Sequence, residues 1–137
     1  MIAIKSDYTS HKFKFSFDVF AQKLIDALKK NKTLKTLNVE SNYLSGPMIR
    51  DIISAINVNQ TIREFRASNQ KPAILGTRIE MEIAKLIESN LTILRLGLHL
   101  DAADARMRVA AALQRNKDNR KLTYLKQNRY LNCNKLI

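Results

Sequence analysis

One short apolar pattern occurs three times and restricts the fold of this chain more than any other feature. The copies occupy residues 34–39, 62–67 and 93–98, each with apolar side chains at its first, fourth and sixth positions. They begin 28 and 31 residues apart. A strand of this length cannot bury a core by itself, so neighbouring copies must stack to cover one another. This pattern and spacing are typical of leucine-rich repeats, which contribute one strand and one helix per unit.

Amphipathic runs lie between the copies and predict the helices. Each run places apolar residues at intervals of three and four, on one face of a helix. The predicted faces are Phe20, Leu24, Ala27 and Leu28; Ile49, Ile52, Ile53 and Ile56; Ile79, Ile83, Leu86 and Ile87; and Ala105, Val109, Ala112 and Leu113. The sequence therefore predicts an α/β leucine-rich-repeat solenoid. It has a short parallel sheet, one helix per repeat and right-handed βα units.

Local signals predict where these helices begin and end. Asn31, Asn59, Asn90 and Asn116 each close a run, and asparagine tolerates the left-handed conformation found just past helix ends. Pro47 suits a first helical turn, where its missing N–H is harmless. Thr77 and Glu80 have the spacing of a capping box, which predicts a helix start at Thr77.

Composition limits the class of protein. The 137 residues carry 24 basic and 12 acidic side chains, a net charge of +12. Residues 101–137 hold 9 basic and 3 acidic residues, so +6 of that surplus lies in the last quarter. A basic excess favours an acidic partner, namely nucleic acid, an anionic membrane surface or an acidic protein. No apolar run approaches the length of a membrane span and the N-terminus lacks a signal peptide, which predicts a soluble intracellular protein.

The sequence lacks the residue combinations that catalysis needs. It contains no glycine-rich phosphate loop and no cluster with metal-ligand spacing. Cys133 is the single cysteine, so it forms no internal disulfide, and no histidine or aspartate lies at a spacing that would activate it. Glu80 and Glu82 are two residues apart on a helix and point to different faces. We therefore predict no enzyme activity and no cofactor.

Four longer segments of the sequence resemble one protein family. LNVESNYLSG (37–46), EFRASNQ (64–70), LGTRIEMEIAKLIESN (75–90) and ILRLGLHLDAADARMRVAAALQRN (93–116) resemble the C-terminal leucine-rich-repeat domain of the tropomodulin family. The likeness extends from about Phe20 to Asn116. It implies a second actin-binding surface in a cytoplasmic protein of the cytoskeleton that caps filament pointed ends. It also implies tropomyosin binding, through an N-terminal region that this chain does not contain. The related leiomodins share the domain and nucleate filaments, so the resemblance does not separate capping from nucleation.

The resemblance divides the chain into three parts. Residues 20–116 are predicted to form the repeat domain. Residues 1–19 are not family-like, and the tail, 117–137, shows no likeness beyond its first few residues. Residues 11–17 alternate phenylalanine with polar residues, which predicts a strand ending at an N-cap, Asp18. This strand is interpreted as a cap over the solenoid, a dimer contact or a mis-joined segment. The basic tail, 117–137, is either helical or disordered.

The loops that follow the strands project from one edge of such a solenoid and hold the candidate binding residues. Asn42, Tyr43, Asn69, Gln70 and Lys71 form the predicted actin-binding strip. For Asn42 the alternative is an inward amide that bonds backbone, as the consensus asparagine of these repeats does. His99 and Asp101 occupy the third loop, where His99 is interpreted as a packed loop residue.

Basic residues near the start of the last helix extend the predicted site. Arg106, Arg108 and Arg115, followed by Lys117, Arg120 and Lys121, form a basic end that would steer an acidic actin surface. The alternative is a solvated helix end. The competing function is a basic repeat module that binds RNA or another acidic partner, with few aromatic residues to support it. A third is a general protein-interaction scaffold.

Overall fold

The computed structural model describes residues 2–3, 14–70 and 75–134, in which strands and helices alternate strictly. The elements are β1 (Ile2–Ala3), α1 (Lys14–Lys30), β2 (Thr36–Asn38), α2 (Gly46–Asn59), β3 (Glu64–Arg66), α3 (Thr77–Ser89), β4 (Arg95–Gly97) and α4 (Ala103–Asn134). α4 continues helical from residue 117 to Asn134, through a part of the tail for which the sequence left helix and disorder open.

The strands form one parallel sheet in the order β1-β2-β3-β4. Leu37, Phe65 and Leu96 are direct neighbours across β2, β3 and β4. Each pair of neighbouring strands is joined through a helix, as a parallel connection requires. This ladder confirms the predicted leucine-rich-repeat fold.

The core lies between the sheet and its helices. Phe65 is fully buried at the centre of the sheet, and Ile49, Ile52, Ile53 and Ile56 of α2 are all 0% exposed, as predicted. The third copy is less covered, since Leu96 and Leu98 are only half-buried. Among the described strands, β4 lies at one edge of the sheet and pairs with β3 alone, which explains the difference.

The expectations for the first helix need correction. Residues 14–17 are helical, so the strand predicted over 11–17 is wrong there, and residues 11–13 lie outside the described residues. Asp18 lies inside α1 and is not its N-cap. Phe17, Ala21 and Leu28 recur at helical intervals. This helical pattern extends over more residues than the alternation within 11–17 and therefore predicts the structure better. The buried face of α1 contains Ala21, Ile25 and Leu28, whereas Ala27 is exposed.

The asparagines that close the helices act through their side chains. Gln60, not Asn59, takes the left-handed conformation after α2, and Asn90 is extended with φ −82° and ψ 135°. The left-handed role predicted for Asn59 and Asn90 is therefore wrong. The Asn59 amide instead donates to the carbonyls of Leu28, at 2.7 Å, and Asn31. Asn116 lies inside α4, so the helix end predicted there is wrong, but its amide donates in the same way to Asn90 O at 3.0 Å. These amides join neighbouring repeats.

The predicted capping box at Thr77 is also wrong. Gly76 is the N-cap of α3, at φ 81°, a backbone conformation that residues with a side chain rarely adopt. Glu80 is 2% exposed, and its Oε2 accepts a hydrogen bond from Ala102 N at 2.7 Å. Ala102 precedes α4, so the carboxylate satisfies a free N–H at the positive end of that helix.

Candidate functional site

The parallel sheet brings three strand-to-helix loops, those after β2, β3 and β4, to one edge of the molecule. Strands in a parallel sheet end on the same side, so the loops after β2, β3 and β4 leave together. We call this side the loop edge and define it by residues 40–45, 67–70 and 98–102. Lys71 follows this stretch and lies outside the described residues. The loop edge contains four of the eight predicted site residues, namely Asn42, Tyr43, Asn69 and Gln70.

Asn42 and Gln70 point inward and hold the loops in place. Asn42 is 5% exposed, and its Nδ2 donates to Val39 O at 2.8 Å and Glu40 O at 3.1 Å. Gln70 is 6% exposed and donates to Val39 O at 2.8 Å while accepting from Leu44 N at 3.1 Å. This geometry agrees with the inward alternative for Asn42. It gives Gln70 the same kind of role, between two successive repeats.

Tyr43 and Asn69 face solvent at the same edge. Tyr43 is 42% exposed. Asn69 is exposed, adopts φ 57° and donates from Nδ2 to Ser41 Oγ at 3.0 Å, which joins the first and second loops. A surface asparagine in this conformation presents its side chain while its backbone turns sharply. These two side chains are the accessible part of the predicted strip among the described residues.

The third loop is more exposed than expected. His99 and Asp101 have side chains that are 84% and 68% exposed, with His99 Nε2 3.1 Å from Asp101 Oδ1. The interpretation of His99 as a packed loop residue is therefore wrong. The loop edge ends in a polar pair that solvent reaches freely.

The three predicted arginines do not form one patch. Arg106 is near the loop edge and donates from Nη1 to Leu100 O at 2.9 Å and Asp101 O at 2.6 Å. Arg115 lies nine residues further along α4, about 14 Å at the usual helical rise. It donates to Glu88 O at 3.0 Å and Asn90 O at 2.8 Å, which caps α3.

Arg108 is the arginine of this set with the most freedom. Its guanidinium lies 3.7 Å from a carboxylate oxygen of Glu88, with 46% of its side chain exposed. A surface pair of this length contributes little to stability. Arg108 therefore remains able to meet an incoming acidic group.

The outer faces of α2 and α3 are joined by a charged network. Arg50 Nη1 donates to Glu82 Oε2 at 2.9 Å, and Arg78 Nε donates to Glu82 Oε1 at 3.1 Å. Hydrogen bonds from Arg50 and then Arg78 hold the pKa of Glu82 below its ordinary value. The same contact with Glu82, followed by that with Asp51, raises the pKa of Arg50. This network joins the N-terminal part of α2 to that of α3.

Sequence reasoning missed a groove on the opposite edge. Its volume is about 250 Å³, and its wall includes Lys35, Arg63, Leu91, Leu94 and Arg120. We call it the basic groove. Lys35 and Arg63 each follow the first apolar residue of their repeat, so aligning the copies would have shown two cations at one repeat position. Nothing in the sequence indicated that Arg120 would join them.

The described residues contain no group of His, Cys, Asp or Glu arranged to hold a metal ion. No helix in the described ranges is long and apolar enough to cross a membrane. Fold and site together define a leucine-rich-repeat domain with a polar, partly exposed loop edge.

Comparison with known proteins then identifies the family. Residues 11–119 match the model of the TMOD/LMOD leucine-rich domain. The chain is 37% identical to tropomodulin of Caenorhabditis elegans over 108 residues and 43% identical to leiomodin-1 of Homo sapiens over 102 residues. The chain belongs to the TMOD/LMOD leucine-rich domain family. This family is non-catalytic, so the chain is not an enzyme.

Two solved structures share this fold. The tropomodulin C-terminal domain of Caenorhabditis elegans aligns with a TM-score of 0.77 and 37% identity, over 80% of this chain and 65% of that one. Leiomodin-1 actin-binding site 2 (ABS2) aligns with a TM-score of 0.78 and 40% identity, over 83% of this chain and 65% of that one. The chain spans 28% of the worm tropomodulin and 17% of human leiomodin-1.

Proposed function

We propose that this chain is a non-catalytic actin-binding domain that restrains subunit exchange at filament pointed ends. The single observation that carries the proposal is its similarity, at 40% identity and a TM-score of 0.78, to a structure identified as leiomodin-1 actin-binding site 2. The domain would act by shape, since a stiff solenoid laid across terminal subunits obstructs addition without making or breaking a bond. A specific contact of this kind buries about 800 Å² on each partner.

The contact surface that we propose is the loop edge and the adjoining start of α4. Tyr43 supplies a rigid, amphipathic ring, and Asn69 supplies an adaptable amide beside it. Aromatic residues surrounded by polar groups are common at the centres of protein interfaces. Arg108 adds a cation that steers an acidic partner. Lys71 remains part of the proposed site as the residue that follows Gln70.

Three predicted residues take an indirect role in this proposal. Asn42 and Gln70 hold the loop backbone that presents Tyr43 and Asn69, through the hydrogen bonds to Val39 O. Arg106 holds the third loop through its bond to Leu100 O. We expect these side chains to affect actin binding through loop geometry, because their polar atoms are already engaged.

Pointed-end capping, tropomyosin binding and a cytoplasmic, cytoskeletal location are proposed for the whole protein. We assign tropomyosin binding to sequence outside residues 11–119, as the resemblance to tropomodulins implies. Linked binding sites gain through effective concentration, so the domain alone would bind more weakly than the same domain joined to a second site.

The test is elongation from pointed ends of actin filaments whose barbed ends are blocked. We expect the chain to slow elongation in a saturable manner. Tyr43→Ala combined with Asn69→Gly should weaken the effect by roughly tenfold, since central interface side chains carry most of the binding energy. Glycine is chosen at position 69 because it keeps the positive φ.

Tyr124→Ala is the matched control, because Tyr124 is 63% exposed on the outer part of α4. It should leave the effect on elongation unchanged. Elongation that stays at the rate of bare filaments at saturating chain would overturn the proposal. A loss with Tyr124→Ala equal to the loss at the loop edge would show that the surface is wrongly assigned.

A further inference from the structure

The basic groove lies outside the surface proposed for actin and has a composition of its own. One side of the groove is formed by the segments that precede the strands, and the other by residues 116–123 of α4. Because strands run from this side towards the loop edge, the groove and the loop edge lie at opposite ends of the sheet. A ligand in the groove therefore leaves the loop edge open.

Three cations from separate parts of the chain meet in this groove. Arg63 N donates to Lys35 O at 2.8 Å, so these two residues are neighbours on adjacent segments entering the sheet. Arg120 approaches from α4. All three side chains are exposed, and within the described residues none of them has a carboxylate partner. No aspartate or glutamate lines the groove there.

The arginines that follow on β3 and β4 differ from the cations of the groove, because they have a carboxylate partner. Glu64 Oε1 lies 2.8 Å from Arg66 Nε, and Glu64 Oε2 lies 3.9 Å from Arg95 Nη1. One carboxylate therefore pairs with two arginines on adjacent strands. Like charges on adjacent strands destabilise a sheet unless an opposite charge offsets them. The groove has no such internal charge in the described part of the chain. An anion from outside the chain would offset this repulsion.

The remaining walls indicate what kind of anion fits. Leu91 is 67% exposed and Leu94 is half-buried, so the groove has an apolar side beside its cations. Its volume, about 250 Å³, is below the range of small-molecule sites and suits one or two side chains. No aromatic ring lines it among the described residues, whereas single-stranded nucleic acids usually stack on such rings. A free phosphate would leave Leu91 uncovered.

We propose that the basic groove docks an acidic segment of a partner protein. Carboxylates of that segment pair with Lys35, Arg63 and Arg120, and an apolar side chain next to them packs on Leu91. The proposal is independent of actin binding, because it uses the opposite end of the sheet. It also explains why the cations at this repeat position lack partners inside the described chain.

The test uses a fluorescent synthetic peptide made of glutamate, aspartate and leucine, with binding to the full chain measured by anisotropy. We expect saturable binding that Arg63→Glu combined with Arg120→Glu weakens by roughly tenfold or more, since each change replaces an attraction with a repulsion. Lys23→Glu combined with Lys85→Glu is the matched control. It alters the net charge equally at exposed sites outside the groove and should change the affinity by less than about twofold.

Two further variants separate the parts of the proposal. Leu91→Ser removes the apolar contact at an exposed position, and it should weaken binding several-fold without lowering the thermal midpoint of unfolding. Tyr43→Ala with Asn69→Gly changes only the loop edge and should leave peptide affinity unchanged. Equal losses in the groove variant and its charge-matched control would overturn the proposal, because binding would then follow net charge alone.

Competition identifies the class of ligand. Inorganic phosphate and a single-stranded RNA oligonucleotide are each added to the chain–peptide complex at physiological salt. We expect neither to displace the peptide at equal concentration, and we expect a peptide with serine in place of leucine to bind more weakly. Displacement by RNA, or equal affinity for the serine peptide, would overturn the assignment to an acidic protein segment.

Discussion

Replacement of Gln70 by alanine tests whether the loop edge is built by buried amides. The Gln70 side chain is 6% exposed and donates to Val39 O at 2.8 Å and Ala67 O at 3.1 Å while accepting from Leu44 N at 3.1 Å. Each such bond contributes about 0.5–1.5 kcal/mol, and its loss leaves buried backbone groups without partners. We therefore expect Gln70→Ala to reduce the free energy of unfolding by about 2–4 kcal/mol.

Urea unfolding followed by far-ultraviolet circular dichroism measures this loss. For a domain of this size the urea midpoint should fall by roughly 1–2 M. Gln114→Ala is the control, since Gln114 is exposed on α4 and bonds only Asp118, one turn away, among the described residues. Its midpoint should change little, because alanine also favours helix.

Hydrogen exchange then locates the effect. Gln70→Ala should speed exchange of the Leu44 amide, which loses its acceptor. Gln70→Glu keeps an acceptor for Leu44 but faces the Val39 carbonyl with a carboxylate, so it should destabilise while protecting the Leu44 amide better than alanine does. A Gln70→Ala protein as stable as the Gln114→Ala control would refute the assignment of Gln70 to loop structure.

Three further predictions concern the core and the charged contacts. Phe65→Ala, at a fully buried site, should cost about 3–5 kcal/mol in urea unfolding, and Phe65→Leu should cost markedly less because it leaves a smaller cavity. Glu80→Ala should cost about 1–3 kcal/mol by freeing the Ala102 N–H, and Glu80→Gln should recover part of it because its amide oxygen still accepts. Glu82 has a pKa below its ordinary value because Arg50 donates to it, so its contribution to stability is complete above about pH 4.3 and is lost as pH falls through the lowered pKa. The stability difference between the unmodified chain and Glu82→Gln should accordingly disappear in acid, and a difference that grows in acid would contradict the argument.

The architecture could be predicted because its signals are periodic. The spacing of Leu37, Phe65 and Leu96 by about one repeat places them side by side, and they are neighbours across the sheet. The helix faces follow the same logic, since Ile49 to Ile56 recur at helical intervals and are buried together. Such patterns show apolar faces that are removed from water only when neighbouring repeats stack.

The errors occur where local rules competed with contacts between repeats. Thr77 and Glu80 have capping-box spacing, yet Glu80 meets Ala102, which lies 22 residues away. Asn59 closes a helix, yet its amide bonds Leu28 in the previous repeat. In both cases a buried polar side chain takes a partner from the next or previous unit, which leaves the helix terminus to another residue. A rule based on a few consecutive residues does not include that partner.

The candidate site divides in the same way. Asn69 and Gln70 are adjacent and chemically alike, but Asn69 is exposed and Gln70 is buried against Val39 and Leu44. The residue types alone placed both at the loop edge. Which of them faces solvent depends on the backbone groups of the previous repeat, since Val39 O and Leu44 N hold the Gln70 side chain inward.

The sequence by itself determined the repeat, the parallel ladder, the apolar faces of the helices and the family, because each of these is written in the order and spacing of residues. Only the tertiary structure decided which polar groups are engaged and where unpaired charge collects. Lys35, Arg63 and Arg120 belong to three separate segments and converge because the sheet and α4 bring them together. Electrostatic interaction depends on distance in space, and distance along the chain does not report it.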